Sequence, residues 1–161
     1  MIEAHGGWLF KHTGDGVCTA FASPASAVDA AVAAQRALVL PVRTGLATGE
    51  AELRDRDYFG AVLNRAVRVM AAGHGGQILL AESMAGLLSG VDLVDLGPRR
   101  LRDLPMPVGV FQVSARRGRT GHERKRGSFG SDEVAERSRN RRHMSVPKLV
   151  SEMARRYDGH C

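Results

Sequence analysis

Residues 8–21, WLFKHTGDGVCTAF, hold two runs of alternating apolar and polar side chains that meet at Gly14-Asp15-Gly16. Asp-Gly between such runs is a strong hairpin signal, because a tight primed turn needs positive φ angles that glycine adopts without steric cost. Strict alternation puts Leu9, Lys11 and Thr13 on one side of the ribbon and Trp8, Phe10 and His12 on the other. A carboxylate at the tip, Asp15, suits either closing the turn or holding a hard cation.

Upstream of the hairpin, residues 1–7 read as a helix end closed by Gly6-Gly7. Downstream, Ser23 is a good N-cap with Pro24 at the first helical position, and they open a helix to about residue 40. Val28, Ala31, Val32, Gln35, Leu38 and Val39 fall on one side of it, and Pro41 ends it. Residues 42–53, VRTGLATGEAEL, alternate as a strand whose Gly45 and Gly49 leave room for close backbone approach. A charged loop, Arg54-Asp55-Arg56-Asp57, precedes a helix over 60–72 that turns Val62, Ala66, Val69 and Met70 inward. On that helix Asn64 and Arg68 are four apart and share a face. The pattern closes with a buried strand at 77–80, a small helix at 83–88, strands at 91–96 and 99–104 joined by Gly97-Pro98, and a last strand at 108–113. No internal repeat is present.

With 161 residues the chain suffices for one ordinary domain with a real core. Its net charge of +6 is unevenly placed: residues 1–115 hold ten Lys and Arg against eleven Asp and Glu, and residues 116–161 hold thirteen against six. The excess lies in an Arg-, Ser- and Gly-rich tail too poor in large apolar residues to order itself, apart from a short amphipathic helix around 146–157. The expected organisation is therefore a folded domain over 1–114 and a mostly disordered basic tail over 115–161. Two cysteines, Cys18 and Cys161, form no disulfide framework, which points to a reducing, cytoplasmic setting. No leader is expected, and the apolar stretch 25–42 is interrupted by Asp29, Gln35, Arg36 and Pro41, which excludes a membrane span.

The succession KHTGDG, VRTGLATGE, DYFGAVLNRAVRV, GQILLAE and LRDLPMPVGVFQV resembles the catalytic domain of the class III adenylyl and guanylyl cyclases over residues 3–113. This resemblance implies a ferredoxin-like α/β core that dimerises head to tail with two composite sites, and an ATP to cyclic AMP and pyrophosphate reaction. That reaction needs two cations, Mg2+ or Mn2+, to activate the attacking ribose oxygen and to neutralise the leaving pyrophosphate. By the resemblance, Asp15 matches the second of two metal-binding aspartates. Lys11 and Asp57 match the pair that reads the purine, where an ammonium meets a ring-nitrogen acceptor of adenine and a carboxylate meets its amino group. Asn64 and Arg68 match the pair that orients the ribose and stabilises phosphate charge. Arg102 sits where a phosphate-contacting Lys is common.

Each residue also has a plainer reading. Lys11 suits a solvated strand position, and Asp57 suits a cap on the following helix. His5, His12 and His74 lack ligand spacing and read as surface residues. The resemblance further implies an N-terminally truncated domain: the strand bearing the other metal aspartate, central in the sheet, has no match in these residues. Its neighbours would then keep unpaired backbone groups, and the chain alone would be inactive. In the family the two aspartates come from one subunit and the purine-reading residues from the other. A homodimer is then the family arrangement, and a heterodimer with an intact cyclase domain would complete one site. The competing reading is a non-catalytic regulatory or dimerisation remnant whose basic tail attracts polyanions unspecifically.

Overall fold

Residues 2–14 and 16–114, together with the backbone of residues 151–154, are described by the computed structural model. The hairpin forms as the sequence dictates, from β1 (Gly7–Thr13) and β2 (Gly16–Phe21), with Gly14 at φ 63° in the turn. Ahead of it a single 3-10 turn, Glu3–His5, ends on Gly6 at φ 70°.

Strict alternation fails within β1. The partners run Trp8 to Ala20, Leu9 to Thr19 and then Lys11 to Cys18, so a bulge absorbs Phe10. Paired residues share a face, and the extra residue therefore turns Lys11 away from Leu9 and onto the side of Trp8. This corrects the expected grouping of Leu9 with Lys11.

Helix α1 (Pro24–Ala37) starts where expected, with Ser23 Oγ accepting from Ser26 N at 3.1 Å. It stops short of residue 40. Leu38 is already extended and Val39 is fully exposed, so these two leave the expected apolar side to Ala27, Val28, Ala30, Ala31 and Ala34. Gln35 spans the turn that follows, donating to the Val42 carbonyl.

The expected long strand over 42–53 divides in two. β3 (Arg43–Leu46) joins the main sheet, while β4 (Glu52–Arg54) leaves it and pairs with β5 (Asp57–Phe59). The charged loop is the turn of this second hairpin, with Asp55 and Arg56 both at positive φ. Helix α2 (Ala61–Ala71) then crosses the sheet to β6 (Ile78–Ala81), which runs parallel to β3. After the short α3 (Glu82–Ala85), the two strands expected around Gly97-Pro98 are one bulged strand, β7 (Leu93–Arg99). β8 (Val108–Val113) closes the order as expected.

A seven-stranded sheet results, in the order β1-β2-β9-β3-β6-β8-β7, where β9 is Ser151–Ala154. β9 lies between β2 and β3 and is antiparallel to both. Two expectations are corrected here. The inner edges of β2 and β3 are not left unpaired, and residues 151–154 are strand rather than helix; the rest of the expected 146–157 helix lies outside the described residues.

Helices cover both faces. Alternate residues of β6 divide between them: Leu79 and Ala81 pack with Val62, Ala66 and Val69 of α2, and Ile78 and Leu80 pack with Val28 and Ala31 of α1 and Met84 of α3. The closest approach is at Gly45, where a Cβ would lie 2.5 Å from Met70 Cβ and nearer still to the Ala66 carbonyl oxygen. Backbone this close leaves no room for a side chain. Gly45→Ala is expected to destabilise the fold by about 1–3 kcal/mol, read as a lower urea midpoint at unchanged slope, with Gly14→Ala changing it less.

Candidate functional site

Five of the six expected site residues lie in the described part, and the fold gathers them into two clusters. The first joins Lys11 to Asp57, 46 positions apart. Lys11 Nζ donates to Asp57 Oδ2 at 2.9 Å, and Tyr58 N donates to Asp57 Oδ1 at 2.8 Å. The bulge at Phe10 aims Lys11 in this direction, and an aromatic cluster fixes the other side. Tyr58 meets Trp8 at 5.4 Å and Phe10 at 5.1 Å between ring centroids, both edge to face. These rings hold β5 against β1. Asp57 is thus a strand residue pinned beneath an ammonium and does not cap the following helix, whose N-cap is Gly60.

The pair remains reachable, with side-chain exposures of 47% for Lys11 and 27% for Asp57. The hydrogen bond from Lys11 holds the Asp57 carboxyl below the ordinary 3.8, and the bond to Asp57 raises the Lys11 ammonium above its ordinary 10.5. Hydrogen bonding and charge attraction act in the same sense on each partner. Both groups are therefore charged across the whole interval between those two values.

The second cluster lies on α2 and the loop before β8. Arg68 Nη2 is ion-paired with Asp103 Oδ2, and Arg102 Nε stands 3.7 Å from the same oxygen. Asp103 was not expected. It sits at φ 59°, a left-handed conformation that Asp tolerates better than most residues. No sequence signal links it to Arg68, since the two are 35 positions apart in unrelated elements. Asn64 is exposed one turn ahead of Arg68 on α2. Arg68 Nε is buried and has no hydrogen-bond partner among the described residues.

Asp15 lies outside the described residues. Among the described residues, no three His, Cys, Asp or Glu side chains converge as they would to hold a metal ion. Nor is any described helix long and apolar enough to cross a membrane. A separate cavity of about 480 Å3 is lined by His74, Gln77, Arg99 and Arg100 among others, and by none of the expected site residues.

A mixed sheet with helices on both faces is an architecture that resembles the class III nucleotide-cyclase domain. Comparison with known proteins gives the same family. An uncharacterized protein of Mycobacterium tuberculosis is 38% identical over 121 residues, which cover 70% of this chain and 42% of that protein. The receptor-type adenylate cyclase of Trypanosoma congolense is 33% identical over 111 residues, covering 62% of this chain and 15% of that protein. Among solved structures, an adenylate/guanylate cyclase/hydrolase from Silicibacter pomeroyi matches with a TM-score of 0.64 at 26% identity, over 70% of this chain and 75% of that one. No family model matches the chain. The chain belongs to the class III adenylate/guanylate cyclase family, and it spans less than half the length of the mycobacterial relative.

The linkage has a definite sign. A depressed carboxyl contributes stability above its ordinary value that is lost as pH falls through the folded value, and a raised ammonium contributes stability that is lost as pH rises through its folded value. In a carboxyl-detected NMR titration, Asp57 is expected to have its midpoint below 3.8 and to return toward that value in Lys11→Ala. A midpoint unmoved by the substitution would show that the two side chains are not joined in solution.

Proposed function

We propose that this domain binds ATP and supplies the base-reading and phosphate-facing half of an adenylyl cyclase site. The observation that carries this reading is the Lys11–Asp57 pair, a donor and an acceptor held 2.9 Å apart on an exposed wall. Adenine offers an acceptor ring nitrogen and a donor amino group on one edge, and guanine offers the opposite order. The pair therefore favours ATP over GTP. Asn64 orients the ribose. Arg68 turns from Asp103 to the phosphates, where a guanidinium fork stabilises charge that grows on the leaving pyrophosphate. Arg102 adds a second cation beside it.

The metal-binding carboxylates come from a partner. A carboxylate committed to Lys11 is unavailable to a cation, and Asp15 is the only match to the family's two metal aspartates. The Mg2+ or Mn2+ ions belong with the aspartates of an intact cyclase domain across a head-to-tail dimer. The division into a cyclase domain over 1–114 and a basic tail is part of the same proposal, with the exception of residues 151–154.

Mixing the chain with an intact cyclase whose own phosphate-facing Arg has been substituted is expected to restore cyclic AMP production. Restoration should disappear with Arg68→Ala. If no mixture restores activity, the domain is a regulatory or dimerisation module instead. In equilibrium titrations with Mn-ATP, Lys11→Ala and Asp57→Ala should each weaken binding by about tenfold or more, with the preference over GTP lost. Equal affinity of the parent chain for ATP and GTP would overturn the base-reading role.

A further inference from the structure

The last strand in sequence occupies the middle of the sheet. β9 is four residues long and is separated from β8 by residues 114–150, yet it holds together strands that no other pairing connects. On one side Thr19 pairs with Ser151 and Cys18 with Glu152. On the other, Arg43 pairs with Ala154, Thr44 with Met153 and Gly45 with Glu152. Without β9 the sheet falls into two pieces, the β1-β2 hairpin and the group β3-β6-β8-β7. Lys11 belongs to the first piece. Arg68 and Asn64, on the helix that leaves from the β3 side, belong to the second.

From this arrangement we propose that residues 151–154 are a detachable strand, supplied by the chain's own C-terminal segment, that sets the two parts of the candidate site in register. Three observations support it. β2 and β3 present inner edges two strand spacings apart, about 9–10 Å, a gap that fits one strand and no more. The facing side chains Thr19 and Thr44 are fully buried, and Cys18 nearly so, so the slot lies in the interior of the domain and is not an outer edge. β9 runs parallel to β8, since each is antiparallel to a member of the parallel pair β3 and β6, and a parallel return needs a crossover of about a dozen residues or more. Residues 114–150 exceed that comfortably, so one chain can close on itself. Only a short ladder holds the insert on each side, and such segments exchange at lower free energy than the strands around them.

Strand insertion is independent of the nucleotide reading, whereas its coupling to the site rests on that reading. In the full chain carrying Cys161→Ser and Glu152→Cys, mild oxidation should join position 152 to Cys18 within one molecule. Opposed antiparallel residues stand about 4.5–5.5 Å apart at Cα, inside the range that a disulfide spans. Where that variant does not fold, Thr19→Cys with Ser151→Cys, in a background of Cys18→Ser and Cys161→Ser, tests the same register. Glu136→Cys with Cys161→Ser is the control and should not cross-link at a comparable rate. Links formed only between molecules would put a second copy in the slot, and equal linking at 136 would mean no fixed strand; both overturn the proposal.

Hydrogen exchange separates a detachable insert from general destabilisation. Met153→Pro should speed exchange in residues 17–20 and 43–46 by about tenfold or more while 108–113 stay protected. Uniform acceleration, or none, overturns the insert. The same variant should bind Mn-ATP several-fold more weakly than Met153→Ala. Local exchange with unchanged affinity would leave the strand in place and remove its coupling to the site. A parent chain that binds no nucleotide would count against the proposed function and leave the exchange result standing.

Discussion

Backbone hydrogen bonding at the centre of the sheet is the constraint on which the rest of this structure depends. β2 and β3 carry buried residues on both faces, and their inner edges would be costly to bury without partners. Ser151–Ala154 supplies those partners on both sides at once. The hairpin bearing Lys11 is thereby fixed relative to the crossover unit bearing Arg68, and α2 packs across the junction against Gly45.

On that frame, one inserted residue decides the chemistry of the exposed wall. Bulging at Phe10 rotates Lys11 to the side where Trp8, Phe10 and Tyr58 stack, and the same rings bring Asp57 beneath the ammonium. The ion pair is exposed and adds little to stability by itself. Its meaning lies in presenting one donor and one acceptor at fixed separation. Arg68 has a different restraint: Asp103 occupies its guanidinium, so an anion arriving there has to exchange with a carboxylate already in place.

Many elements were legible in the sequence because their signals are local. Ser23-Pro24 started α1, Gly14 closed the hairpin, and the apolar stripe of α2 set its buried side. Misread elements are those in which a distant contact overrode a local pattern. β4 left the strand begun at Arg43 to pair with β5, and β7 ran through Gly97-Pro98 because a bulge between Asp95 and Pro98 takes up the extra residue and lets Pro98 pair with Gly109 of β8. For the candidate site, the motif order pointed to Lys11, Asp57, Asn64 and Arg68, but not to Asp103, which no periodicity connects to α2.

Sequence alone determined the hairpin and the two main helices, since turn chemistry, capping and apolar spacing act over a few residues, and the order of its motifs carried the resemblance to the family. Tertiary structure alone decided which way Lys11 points, which carboxylate restrains Arg68, and which segment fills the middle of the sheet. Those outcomes depend on register and on backbone groups finding partners far along the chain. A pattern read within a few residues carries no information about either.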